Sequence, residues 1–131
     1  MTTDLPRLSG GKDTAAQPVE LLLAALIGCK SATAVFVSRQ MKFPLLSVEF
    51  NLKAERDPQG ALYKLGQPQP VTAQVQRVWG TATVKLLPDS QPESEERLRI
   101  LHQNVDLRCP VVAMMHNSGI QFDVKWSISA N

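Results

Sequence analysis

The chain has 131 residues, a formal charge of +2 and 44% apolar residues, which fits one soluble domain over 1–131. A single tyrosine and the lack of any acidic or basic block give no pattern for a nucleic-acid partner. Lys12, Lys30, Lys42, Lys53 and Lys85 are scattered and read as solvated surface. The opening MTTDLPRLSGGKD has neither the basic start nor the apolar segment of a secretory signal, so a cytoplasmic protein is expected. Cys29 and Cys109 are too few for an extracellular disulfide framework. In a reducing compartment they are either inert core thiols or a redox pair.

Residues 1–17 combine Pro6, Gly10 and Gly11 with small polar residues and should be largely irregular. Residues 18–41, PVELLLAALIGCKSATAVFVSRQM, predict one helix. Pro18 suits the first helical position, and Glu20 sets a negative charge in the first turn, where the helix dipole favours it. Gly28 costs the helix about 1 kcal/mol relative to alanine. Residues 21–27 carry no polar side chain, so the apolar surface runs round the cylinder and must be surrounded by protein or lipid. Glu20 and Lys30 bound this run well short of the roughly 18 apolar residues of a membrane span. The expectation is a core helix, with no membrane partner.

Phe43-Pro44 breaks the helix. Leu46, Val48, Phe50, Leu52 and Ala54 then alternate with Ser47, Glu49, Asn51, Lys53 and Glu55 as a half-buried strand. Asp57-Pro58-Gln59-Gly60 is a turn, and residues 66–70 prolong an exposed linker. Residues 71–87 resume strand character with a slip in parity near Arg77, which predicts either a bulge there or a hairpin turn at Trp79-Gly80-Thr81. The bulge is favoured, because Gly80-Thr81 is a weak turn signal. Glu93, Glu95 and Glu96 open a second helix with the favourable charge, and Leu98, Leu101 and Val105 form its apolar stripe. Cys109-Pro110 interrupts it, a short helix follows over 111–115, and Asn117-Ser118-Gly119 closes that. The last strand points Ile120, Phe122, Val124, Trp126 and Ile128 inward.

Three or four strands with one polar face cannot wrap a helix that is apolar all round. A second copy would supply the cover, so a homodimer is expected. The reactive candidates are Cys29 and Cys109. Buried free cysteine is common, but Cys109 precedes Pro110 at a helix start, where backbone amides would stabilise a thiolate. No cysteine–histidine spacing matches a structural metal site. His102 should lie on the face of a surface helix and His116 in a C-terminal cap.

PVELLLAALIGC, residues 18–29, with Cys109-Pro110-Val111 some eighty residues later, resembles the OsmC/Ohr family of osmotically induced and organic hydroperoxide resistance proteins. The resemblance covers residues 18–128. It implies an α+β, OsmC-like fold in which a long apolar central helix packs on an antiparallel or mixed sheet, assembled as an intertwined homodimer. It also implies thiol-dependent reduction of organic hydroperoxides, with Cys29 peroxidatic, Cys109 resolving it as a disulfide, an external dithiol as reductant, and no cofactor or metal. The apolar surroundings would favour alkyl or fatty-acid peroxides over hydrogen peroxide.

The sequence departs from the family at the activating residues. Family members place a glutamate directly after the motif proline, where this chain has Val19. Glu20 is nine residues from Cys29, on the opposite side of a helix and about 13 Å along it, so it reads as a partner of the helix dipole. The activating arginine comes from an N-terminal hairpin region, yet only seventeen residues precede Pro18, with Arg7 their sole arginine. Arg7 and Lys30, which is turned about 100° from Cys29, are the auxiliary candidates with Glu20. The alternative reading is a non-catalytic OsmC-like dimer that binds a small apolar or thiol-reactive ligand.

Overall fold

The computed structural model describes residues 1–62, 64–69 and 71–130. The long helix α1 spans Pro18–Met41. The Glu20 carboxylate accepts the Gln17 backbone N–H at 3.4 Å, closing a capping box as the dipole argument anticipates. Lys42 ends the helix in the left-handed region (φ 55°), and the Phe43 N–H bonds back to the Ser38 carbonyl at 2.8 Å. Upstream, the irregular segment holds one 3-10 turn, Arg7–Ser9. The Asp4 carboxylate organises it by accepting the backbone N–H groups of Leu5, Lys12 and Thr14 and the Thr14 hydroxyl. These bonds hold its carboxyl down at about 2.

Strand β1 (Leu45–Arg56) leads through the short helical turn α2 (Gln59–Leu62) to β2 (Val75–Leu86), antiparallel to β1. Asp57 starts the expected turn by accepting the Gln59 N–H at 3.0 Å. Of the expected linker, residues 66–69 are exposed, and Pro70 lies outside the described residues. β2 begins later than the hydropathy suggests, because Thr72 and Ala73 press against the α2 turn at Gly60, where a Cβ would strike the Thr72 carbonyl. The parity slip is a bulge. Glu55 faces Arg77 and Arg56 faces Val75, so Gln76 has no partner. Residues 79–81 run straight through the strand. Gly80 sits opposite Leu52, and its φ of 145° and its approach to the Asn51 carbonyl exclude a side chain.

The Ser94 hydroxyl caps α3 (Glu95–Arg108) by accepting the Arg97 N–H at 3.2 Å. Leu98, Leu101 and Val105 are buried as expected. α4 (Pro110–Asn117) follows without a loop, and β3 (Gln121–Ile128) joins β2 in parallel. Together α3 and α4 form the crossover that a parallel pair requires. The result is a mixed three-stranded sheet in the order β1-β2-β3, with α1 packed on β1, α3 and α4, and α3 also on β3. The core has two parts. Leu26, in the first half of α1, clusters with Val75, Val78, Cys109, Val112, Met115 and Ile120. Ala34 and Val37, in its second half, cluster with Phe43, Val84, Leu98, Leu101 and Val105.

α1 is long and apolar enough to cross a membrane by length and composition, with 28% of that stretch buried; its packing on β1, α3 and α4 is consistent with the core helix of a soluble protein. One of its sides is covered and the other is bare. Leu26, Ala34 and Val37 are buried, whereas Leu22, Val35 and Phe36 are 42%, 44% and 56% exposed, along with Ala24, Ala25, Gly28 and Ala32. The chain exposes 8953 Å², while a compact monomer of 14.4 kDa exposes about 6,800 Å².

Candidate active site: a cysteine pair at a helix junction

Cys109 ends α3 and starts α4. Pro110 fits the first position of α4 because an N–H there would have no helical partner. The first-turn amides of α4 are therefore those of Val111 and Val112. Cys29 faces them from the middle of α1, and its Sγ lies 2.6 Å from Cys109 Sγ. Both cysteines are free thiols. Cys109 is fully buried and Cys29 half-buried, so Cys29 is the more accessible sulfur within the chain.

The two thiols differ in acidity. Burial raises the pKa of Cys29, but the Cys109 thiol, the Val111 N–H, the Thr33 hydroxyl and the Lys30 charge outweigh it and bring it below the usual thiol value. Thr33, one turn further along α1, also donates its hydroxyl to the Cys29 carbonyl at 2.7 Å; its one proton serves either acceptor. Burial and the neighbouring Cys29 push Cys109 up to about 11. Cys29 is thus the more acidic thiol of the pair and Cys109 the less acidic one. The α4 amides of Val112 and Val111 do favour a Cys109 thiolate, as expected, but burial and the neighbouring Cys29 outweigh them, and the Val111 amide also lowers the pKa of Cys29.

The auxiliary candidates separate. Glu20 is engaged in the capping box, and Arg7 is exposed in its turn with no salt bridge among the described residues. Lys30 is not solvated surface: it is 1% exposed, and its Nζ lies 2.9 Å from Asp106 Oδ1. His102 lies on α3 with its side chain 29% exposed, but it is engaged by neighbours. Its Nε2 lies 3.1 Å from Asp106 Oδ2, and its ring stacks on Trp126 with centroids 4.9 Å apart. His116 is exposed in the last turn of α4, near its expected cap. The sequence reading missed Asp106. The available signal was Lys30 itself, a single lysine on the stripe of Leu26, Ala34 and Val37, which demands a buried counter-charge. Among the described residues no three His, Cys, Asp or Glu side chains converge on a metal position.

A groove of ≈ 750 Å³ runs beside the junction, lined by Asp106, Leu107, Val112, His116, Ile120 and Phe122, but neither cysteine lines it. Cys29 instead shares its helix face with Leu22, Ala25, Ala32 and Phe36, at i−7, i−4, i+3 and i+7, and all four are exposed.

The fold is shared with solved structures. An OsmC-like protein from Mycoplasma pneumoniae superposes with a TM-score of 0.74 at 16% identity, covering 96% of this chain and 79% of that one. An organic hydroperoxide resistance protein OsmC from Legionella pneumophila gives 0.65 at 19% identity, covering 97% and 79%. An organic hydroperoxide resistance protein from Elizabethkingia anophelis, with thiocyanate bound, gives 0.66 at 18%, covering 98% and 79%. No curated protein sequence matches the chain. The profile of the OsmC-like protein family matches residues 10–125; with the α+β fold around a cysteine-bearing central helix, this makes the chain a member of the OsmC-like family.

Proposed function

We propose that this chain is a thiol-dependent reductase of organic hydroperoxides, working as a homodimer in the reducing cytoplasm. The observation that carries the reading is the Cys29–Cys109 contact, with a more acidic, more accessible Cys29 beside a buried, protonated Cys109. The Cys29 thiolate attacks the distal peroxide oxygen. The O–O bond breaks, the alkoxide takes a proton and leaves as an alcohol, and Cys29 becomes a sulfenic acid. Cys109 attacks the Cys29 sulfur, which forms the disulfide and releases water. An external dithiol then returns the pair to two thiols and leaves as its own disulfide.

The activation differs from the family pattern. With Val19 in place of the glutamate and Arg7 in a separate turn, the charge on Cys29 is supported by the α4 amide, Thr33 and Lys30. The apolar side chains flanking Cys29 suit an alkyl peroxide. They also suit a second copy, because this chain exposes about 2,100 Å² more than a compact monomer of its size. That excess matches the area an obligate partner covers.

Anaerobic titration of the reduced protein with cumene hydroperoxide tests the chemistry. Two thiols per chain are expected to disappear at least 100-fold faster than in free cysteine. C109S should lose one thiol and retain a sulfenic acid, and C29S should lose none at that rate. Oxidation of the wild type at the rate of free cysteine would overturn the reading in favour of the ligand-binding dimer.

A further inference from the structure

Two contacts join the middle of α1 to the α3–α4 junction, and the mechanism above uses only one of them. Lys30 follows Cys29 directly, and Asp106 precedes Cys109 by three residues. The Lys30–Asp106 ion pair at 2.9 Å therefore runs alongside the sulfur contact at 2.6 Å. Successive residues of a helix diverge by about 100°, so the two contacts leave α1 on different sides. A single contact would let α1 roll against the junction, whereas two contacts fix its rotation and its rise.

The ion pair is built to hold this geometry. Lys30 lies on the buried stripe between Leu26, in one half of the core, and Ala34, in the other. Its amine is sealed from water, which weakens screening of its attraction to Asp106. The second carboxylate oxygen of Asp106 faces His102 Nε2 at 3.1 Å. The His102 ring lies against Trp126 of β3, so the carboxylate is braced from α1 and, through His102, from the sheet.

We propose that Lys30 and Asp106, braced by His102, are positioning residues for the thiol pair, setting how readily Cys29 and Cys109 close into a disulfide. The proposal rests on the reading of the two cysteines as a working pair, but not on the identity of the oxidant. In the reaction that measures it, oxidised glutathione accepts two electrons from the protein dithiol. The products are two reduced glutathione molecules and the Cys29–Cys109 disulfide.

The test is the equilibrium of the full chain with glutathione, read by alkylation and mass, with thermal unfolding recorded for every variant. K30M and D106N should each lower the closure constant at least tenfold, raising the reduction potential by about 30 mV per tenfold. K30R should stay near wild type. The ultraviolet thiolate titration of Cys29 separates positioning from general loosening. K30M should raise the Cys29 pKa by removing a positive charge, and D106N should lower it by leaving that charge unpaired. Should either single variant unfold, the K30M/D106N double variant leaves neither charge buried alone and should show the same tenfold loss of closure. A folded K30M or double variant that closes like wild type would overturn the proposal. If wild type closes with glutathione yet ignores hydroperoxide, the peroxidase reading fails while this one stands.

Discussion

On one side of α1 lie Leu26, Lys30, Ala34 and Val37, all buried; on the other lie Leu22, Ala25, Gly28, Ala32, Val35 and Phe36, all exposed. The usual distribution on a soluble helix is inverted, because the charge is inside and a phenylalanine is outside. The inner side needs its lysine to reach Asp106 and fix the junction that carries Cys109. The exposed positions of the outer side from Leu22 to Phe36 carry no polar side chain and leave Cys29 at their edge. The inner face is explained by contacts within the chain. The outer face is explained by the second copy we propose.

The largest expected effect comes from placing a charge on the outer face. F36D should convert the protein from dimer to monomer at micromolar concentration, measured by sedimentation, while K53D on the polar face of β1 should not. A wild type that sediments as a monomer would remove the explanation for that side of α1.

The inner face yields a smaller and asymmetric effect. D106N strands Lys30, whose side chain is 2% exposed, whereas K30M strands Asp106, whose side chain is 37% exposed and reaches water. Chemical denaturation should show a cost of about 3 kcal/mol for D106N and about 1 kcal/mol for K30M, the second discounted for solvent screening. The acid limb carries the same signature. Burial raises the Asp106 pKa, but the His102 bond and the Lys30 charge outweigh it and hold the group below its ordinary value. Its contribution is therefore present above the unfolded carboxylate range and is lost as pH falls through the lowered folded value. Melting temperatures of K30M should fall less steeply than those of wild type over that range.

The smallest effect is the most diagnostic in sign. Nothing lies within 4 Å of a Cβ built on Gly28, so G28A in the F36D monomer should stabilise α1 by about 1 kcal/mol. In the dimer the same methyl should weaken association, because small residues let two helices approach closely. Thermal unfolding of G28A with and without F36D checks both signs.

The fold was legible wherever one residue's polarity reports its own burial. The alternation in β1 and β3 and the stripe of Leu98, Leu101 and Val105 are of this kind. The bulge near Arg77 was legible as a change of parity. Gly80 was ambiguous, because a glycine needed for close approach to Asn51 looks the same in sequence as a glycine in a turn. The cysteine pair was legible through its motif. The difference in acidity between the thiols was not, since it depends on Cys109 being fully buried and on the direction of the Val111 N–H. Lys30 was misread because its partner is 76 residues away and a lone aspartate on a helix gives no sign of where it will dock.

The parallel pairing of β2 and β3 has a consequence for the order of assembly. β3 cannot join the sheet until the chain has crossed through α3 and α4, and contacts of such long sequence separation form slowly. The ion pair spans 76 residues and the sulfur contact 80, so both wait for that crossover. Until it is complete, an emerging or partly unfolded chain carries two ordinary, unconnected thiols. Whatever acidity Cys29 has belongs to the finished fold.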